Sequence, residues 1–253
     1  MRLASEHSLG FASQTLGVFS AAVGWGSRRR WPRALRGPVY GAFARVVGAR
    51  VDEAELPLDE YPTFGDFFAR RLRDGVRPIC RDVDALIAPC DGVVAACGQT
   101  DDGRLIQAKG IDYSLDDLVC DSALAASLTG GAYCTIYLSP RDYHRVHVPF
   151  DATLVGHRHV PGGRFPVSSV FSRHIDGLLA TNERVVIHLR TGQGDVALVM
   201  VAAAGVGNIS LRHADQASTG RKTALSRGDE LGAFLLGSTV VLLLPPRRHT
   251  LQV

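Results

Sequence analysis

The sequence predicts an α+β protein, with a helical N-terminal region followed by a mainly antiparallel β domain. Three observations predict it. Residues 1–50 are rich in Ala, Arg and Leu and poor in strand formers, with Gly37-Pro38 as punctuation. From Pro78 onward the pattern changes to short β-rich segments broken by Gly, Asp and Pro. No apolar run approaches the ~18–20 residues that span a bilayer, so the runs Val196–Val206 and Val240–Pro245 read as buried strands. The boundary is placed between a helical, basic region over 1–75 and a β-rich domain over 76–253.

Thr63 is the expected cap of a helix over Phe64–Arg73, where Phe64, Phe67, Phe68 and Leu72 form an apolar stripe. Strands are expected at Ala85–Ala88, Gly92–Gly98, Arg104–Ala108, Ala132–Leu138, His147–Pro149, Ala152–Val160, Arg184–Arg190, Asp195–Ala204, Gly207–Arg212 and Ala233–Leu244. Short helices fit Leu115–Val119 and Phe171–Leu178. There is no internal repeat and no low-complexity linker.

At 253 residues, 46% hydrophobic and 21% charged, the composition is that of an ordinary globular protein with length for a substantial core. The formal charge of +3 hides an asymmetry. Residues 1–50 hold eight Arg and one Glu, whereas the remainder holds 20 basic and 24 acidic side chains. The basic block includes Arg28-Arg29-Arg30, Arg33 and Arg36, and both tryptophans, Trp25 and Trp31, flank it. With the modest apolar segment Leu16–Val23, this describes a helix lying on an anionic membrane surface. A solvated helical face is the bland alternative. Nucleic acid is disfavoured, because no recognised motif or aromatic-basic interleaving follows. The N-terminus does not read as a signal peptide. The five cysteines (Cys80, Cys90, Cys97, Cys120, Cys134) are odd in number and contain no Cys-x-x-Cys, which fits free thiols in a reducing compartment.

Leu236-Gly237-Ser238-Thr239 interrupts the apolar run from Ala233 to Pro245. Gly weakens a strand, and Ser adds a hydroxyl that needs a partner if buried. A bulge explains the pair; so does self-cleavage, with a bond free to distort and an oxygen placed to attack the carbonyl before it. Upstream, Ser139, Pro140 and Asp142 match a helix start. One helical turn there would set His144 and His147 on one side, as acid, base or metal ligand. Each could equally be a structural histidine. Asp91, in Ala88-Pro-Cys-Asp-Gly92, fits ordinary turn chemistry or a residue that orients a histidine. Lys109, one of two lysines, is a surface or binding charge. His157-Arg-His159 raises zinc, but no second ligand group with metal-like spacing stands out, and no metal is expected.

Taken in order, these segments resemble phosphatidylserine decarboxylase of the bacterial, pyruvoyl-dependent type. The resemblance runs from Tyr61-Pro-Thr-Phe-Gly-Asp-Phe-Phe-Ala-Arg70 and Arg77-Pro78 through Ala88-Pro-Cys-Asp-Gly92 and Gln107-Ala-Lys-Gly-Ile-Asp-Tyr-Ser-Leu115. It continues in Tyr137-Leu-Ser-Pro-Arg-Asp-Tyr-His-Arg-Val-His147, Asn182-Glu-Arg184, Gly205-Val-Gly-Asn-Ile209, Gly228-Asp-Glu-Leu-Gly232 and Leu236-Gly-Ser-Thr239. Arg227 stands where the family often has Lys.

The resemblance implies a proenzyme, a carbon-carbon lyase of phospholipid biosynthesis. It implies autocatalytic cleavage between Gly237 and Ser238, with Ser238 becoming the pyruvoyl group that forms a Schiff base with the substrate amine. Asp91, His147 and Ser238 match the self-processing set, Asp91 orienting His147 and His147 acting as base toward the Ser238 hydroxyl. His144 matches the decarboxylation residue. The large (1–237) and small (238–253) chains are expected to stay associated, as a possible homo-oligomer, peripheral on the cytoplasmic face of the cell membrane. The rivals are a pyruvoyl enzyme acting on a soluble amino acid or another serine-headed lipid, a β-domain binding protein that never processes, and a zinc hydrolase.

Overall fold

The structure is a computed structural model that describes residues 25–82, 84–108, 111–167, 177–203, 209–214, 222–235 and 238–246. It is α+β, with mainly antiparallel sheets and few helices.

In the N-terminal region, α1 (Arg33–Val47) is followed by short 3₁₀ turns and α2 (Phe64–Phe68). Thr63 caps α2 as expected: its hydroxyl accepts from the Asp66 amide, and Asp66 reaches back to the Thr63 amide. The helix ends at Phe68, five residues short of the expected Arg73. The chain leaves it so that Leu72 can bridge to Ala54 and Arg71 can reach Glu230. Tyr40 and Ala44 of α1 pack with Tyr61 and Phe67 in a small core of their own, with the Tyr40 and Phe67 rings stacked at 5.1 Å.

The β domain contains β1 (Val93–Gln99), β2 (Arg104–Ala108), β3 (Ile111–Ser114), α3 (Leu115–Val119), α4 (Ser122–Leu128), β4 (Ala132–Leu138), β5 (Arg145–His147), β6 (Ala152–Val160) and α5 (Leu178–Thr181). It continues with β7 (Arg184–Thr191), β8 (Gly194–Ala202), β9 (Ile209–Leu211), β10 (Thr223–Leu225), β11 (Glu230–Phe234) and β12 (Ser238–Leu243). Seven strands form one antiparallel sheet in the order β1-β4-β12-β8-β7-β6-β10. A second sheet has the order β5-β11-β9, and β2-β3 form a hairpin.

The large sheet is buried on both faces, which is why its central strands read as continuous apolar runs. Val240, Leu242, Leu198, Met200, Ile136 and Leu138 face a core shared with Val146, Leu231 and Phe234 of the small sheet. Val241, Leu243, Val199 and Val201 face a core shared with α3, α4 and the hairpin. β12 lies at the centre, paired with β4 on one side and β8 on the other.

Several expected elements differ. Residues 85–88 form no strand; the backbone there is tied to the return segment instead, through Ile87 N–H to the Pro149 carbonyl. The strand expected at His147–Pro149 is Arg145–His147, because Val148 bonds Asp229 outside the ladder. The run expected as one strand over Ala233–Leu244 is two, β11 in the small sheet and β12 in the large one. A helical turn after Ser139 does not form. Asp142 instead accepts from both the amide and the hydroxyl of Ser139, closing a turn that feeds β5. The expected helix over 171–178 lies mostly outside the described residues.

Candidate active site

Ser238 opens β12, between Leu138 of β4 and Ala202 of β8. Strand alternation puts its side chain on the face of Val240 and Leu242, toward the small sheet. It is fully buried, and its hydroxyl has no hydrogen-bond partner among the described residues. Leu236 and Gly237 lie outside the described residues.

The small sheet carries the histidines. His144 precedes β5, and its carbonyl accepts from Phe234 N–H of β11. The helical geometry expected for the pair is replaced by a turn running into a strand, so residues three apart diverge. His144 is fully buried against Phe68 of α2, ring centres 4.1 Å apart. Its Nδ1 donates to the Asp142 carbonyl at 2.8 Å, since a carbonyl only accepts, and its Nε2 has no partner. Burial pushes its pKa down to about 4, partly countered by the Asp142 carbonyl, so the imidazole is neutral at pH 7.

His147 faces a cavity of about 560 Å³ that Asp91, Tyr143, Arg71, Arg77 and Glu230 also line. Its Nδ1 donates to the Gly228 carbonyl at 2.8 Å, and the Tyr143 hydroxyl lies 3.0 Å from its Nε2. The proton is therefore on Nδ1, and Nε2 is the basic nitrogen. Burial raises the Tyr143 phenol to about 12, keeping it a donor.

Asp91 is brought to this cavity by the backbone: His147 N–H donates to the Pro89 carbonyl at 2.7 Å. The turn needs Gly92, whose φ is 147° and which has no room for a Cβ against the Tyr137 carbonyl. Asp91 does not bond His147. Arg77 holds it in a bidentate pair, Nε and one terminal nitrogen at 2.6–3.2 Å, and also binds Glu53. Gly228 is needed for its backbone, with φ 93° in the region that favours glycine.

The structure thus brings Asp91 and His147 to one cavity and leaves Ser238 and His144 as two buried side chains with unpartnered polar atoms. Among the described residues no hydrogen bond joins the two pairs. Sequence reasoning missed Tyr143 as a partner of His147, although the two are four apart in one motif. It also missed the Arg77 clamp on Asp91 and the Arg71–Glu230–Arg145 cluster, at 2.8 and 2.5 Å. Those ion pairs join residues far apart in the chain, which no local pattern reveals. Arg227 binds the Cys80, Asp82 and Ala85 carbonyls, a structural task that its five donors suit. Lys109 lies outside the described residues. His159 bonds Glu183, which Arg164 also holds. Among the described residues no three His, Cys, Asp or Glu side chains converge in a group suited to a metal ion, and the five cysteines are free.

The chain is similar to known proteins along most of its length. The family model described as phosphatidylserine decarboxylase matches residues 64–253. A phosphatidylserine decarboxylase proenzyme of Anaeromyxobacter sp. (strain K) is 44% identical over 249 residues, covering 93% of this chain and 88% of that one. The proenzyme of Myxococcus xanthus (strain DK1622) is 39% identical over 244 residues, covering 92% and 87%. That of Psychrobacter arcticus is 40% identical over 233 residues, covering 88% and 83%. With the fold and this likeness along nearly its whole length, the chain belongs to the phosphatidylserine decarboxylase family.

Proposed function

We propose that this chain is made as a proenzyme, cuts itself between Gly237 and Ser238, and then converts phosphatidylserine to phosphatidylethanolamine and carbon dioxide. The observation that carries the reading is the Ser238 hydroxyl. Leaving a buried hydroxyl without a partner costs about 1–3 kcal/mol, so a packing role alone would favour alanine. A nucleophile explains its presence. Its oxygen attacks the Gly237 carbonyl carbon, the amide C–N bond breaks as the ester forms, and the residue 238 nitrogen takes the proton. A base then removes the residue 238 Cα proton, and that electron pair forms the Cα–Cβ double bond as the Cβ–O bond breaks, leaving a carboxylate on Gly237 and dehydroalanine at 238. Water replaces its nitrogen, ammonia leaves, and the pyruvoyl group remains. That group supplies the electron sink required when carbon dioxide departs.

The chain's own residues do the rest. The Gly228 carbonyl keeps the proton on Nδ1 of His147, so Nε2 is the nitrogen that accepts one once the Tyr143 hydroxyl moves off it. Asp91 lines the same cavity, held there by Arg77. His144 is neutral, with its proton on Nδ1, so its free Nε2 is suited to accept a proton and pass it to the substrate carbon after carbon dioxide leaves. A second reading exchanges the histidines. It is favoured by the fact that His144 Nε2 and Ser238 Oγ are both buried without partners, whereas His147 Nε2 is engaged.

Cleavage before Ser238 leaves β12 hydrogen-bonded on both edges, which supports continued association of the two chains. The N-terminal region supports a peripheral site on an anionic membrane surface, at the cytoplasmic face. No described helix is long and apolar enough to cross a membrane. Trp25 is 59% exposed with the Arg29 guanidinium 4.1 Å from its ring centre, and Leu35, Val46 and Leu56 are exposed nearby in sequence.

The test is intact mass together with product formation. The wild type is expected as two chains, the smaller with a blocked N-terminus, and active on phosphatidylserine. Ser238→Ala is expected as one 253-residue chain without activity. Normal two-chain product from that variant would refute the assignment.

A further inference from the structure

Arg70 is a buried cation with no directly paired anion among the described residues; Glu53 and Asp91 act on it only through space, and Arg77 holds both of them. It is 3% exposed and forms no ion pair among the described residues. Its Nε has no hydrogen-bond partner. One terminal nitrogen reaches the Arg141 carbonyl at 3.5 Å, beyond the usual hydrogen-bond range, and the Phe67 ring centre lies 5.5 Å away. Arg184 is the contrast. It is equally buried, yet its nitrogens donate to the carbonyls of Asp117, Leu118, Ala180 and Asn182. That is a structural arginine with its donors satisfied. Arg145, half-buried, has Glu230 instead.

A guanidinium does not lose its proton in proteins, so an unpaired one in the interior is a standing electrostatic cost. Packing does not require it, because an uncharged side chain would fill the same space beside Phe67. Its location is informative. Arg70 follows α2 directly, two residues from the Phe68 ring that rests on His144. Its one polar contact among the described residues is to the turn that leads into His144. Its charge is among those that disfavour a proton on His144.

We propose that Arg70 binds the phosphodiester of the phosphatidylserine headgroup and so selects a lipid over a free amino acid. The proposal rests on the decarboxylase reading and names its specificity residue. The substrate brings two anionic groups near His144. A guanidinium on the carboxylate would stabilise the ground state more than the transition state, because that charge disappears as carbon dioxide forms. The phosphodiester keeps its charge throughout, and its two free oxygens match the planar fork of arginine. Held there, it contributes binding equally in ground and transition states.

The test compares wild type, Arg70→Met and Arg70→Lys, using short-chain phosphatidylserine as substrate and short-chain phosphatidylethanolamine as competing product. The product keeps the phosphodiester and lacks the carboxylate. Arg70→Met is expected to mature, to raise KM ~10–100-fold, and to raise the inhibition constant of the product by the same factor. The larger part of the loss in kcat/KM falls on KM. Arg70→Lys, a point charge without the fork, is expected to fall between. Unchanged constants overturn the proposal. So does a raised KM beside an unchanged product constant, which would put Arg70 on the carboxylate. Failure of a folded Arg70→Met to cleave overturns it too, because a headgroup residue has no part in self-cleavage. Should Arg70→Met not fold, the same two constants in Arg70→Lys decide: a joint rise supports the proposal, and no change refutes it. A wild type that neither splits nor decarboxylates sinks the decarboxylase reading; an active wild type beside an unaltered Arg70→Met sinks only the role of Arg70.

Discussion

The Tyr143 hydroxyl lies 3.0 Å from Nε2 of His147, and it occupies the nitrogen that a base must keep free. For His147 to take a proton from Ser238, this bond has to open. Tyr143→Phe removes the hydroxyl while keeping the ring. The variant is expected to mature at least as fast as wild type, checked by the time course of chain splitting after synthesis. Slower splitting would mean that the hydroxyl itself relays the proton.

Asp91→Asn and His147→Ala are expected to block or greatly slow splitting. In hydrolase triads, neutralising the acid that steadies a histidine costs up to ~10⁴ in rate. His144→Ala is expected to split, at least in part, and to turn over phosphatidylserine poorly. Scoring chain masses and product on the same samples separates the two roles. Loss of splitting in His144→Ala, with splitting retained in His147→Ala, would exchange them.

His144 also carries a pH prediction. Its folded pKa is about 4, below the 6.5 of an exposed histidine. Between those values the unfolded chain binds the extra proton and the folded one does not. Stability is therefore fully present above pH 6.5 and is lost as pH falls toward 4, by on the order of 3 kcal/mol for this group. Melting temperatures at pH 7 and pH 5 should differ less in His144→Gln than in wild type. An equal fall in both would show that His144 is not the group responsible.

The membrane-facing role of the N-terminal region is best tested by substitution. Deleting residues 1–36 would cut into α1 and remove Arg33, which pairs with Asp59 at 2.9 Å. Combining Trp25→Ser, Arg29→Ser and Arg30→Ser leaves α1 intact. Each cation near an anionic surface contributes about 1 kcal/mol, so binding to vesicles containing anionic lipid is expected to weaken by at least about tenfold. What remains should depend less on salt. Unchanged co-sedimentation would make the arginine block a solvated face.

Local pattern was enough for much of the fold. β4, β6 and α3 occupy the ranges expected for them, because an apolar run bounded by turns, or a cap followed by a stripe, is written in neighbouring residues. The split of 233–244 was not legible. Both halves are apolar, and only pairing partners distant in sequence put β11 in one sheet and β12 in another. β3, β10 and α4 were missed because they are short and held mainly by tertiary packing.

The candidate site divides in the same way. The sequence by itself determined which residue types are available: a Gly-Ser bond in an apolar run, two histidines in one motif, an Asp-Gly turn, and a family likeness that sets them in order. Only the tertiary structure decided what each side chain touches. It sent His144 into the interior against Phe68 and turned His147 to a cavity with Asp91 and Tyr143, because the segment after Ser139 is a turn and strand. It clamped Asp91 with Arg77 and left the Arg70 guanidinium without a direct ion pair among the described residues. Burial and hydrogen-bond satisfaction depend on groups brought together across the whole chain, so local spacing does not carry them.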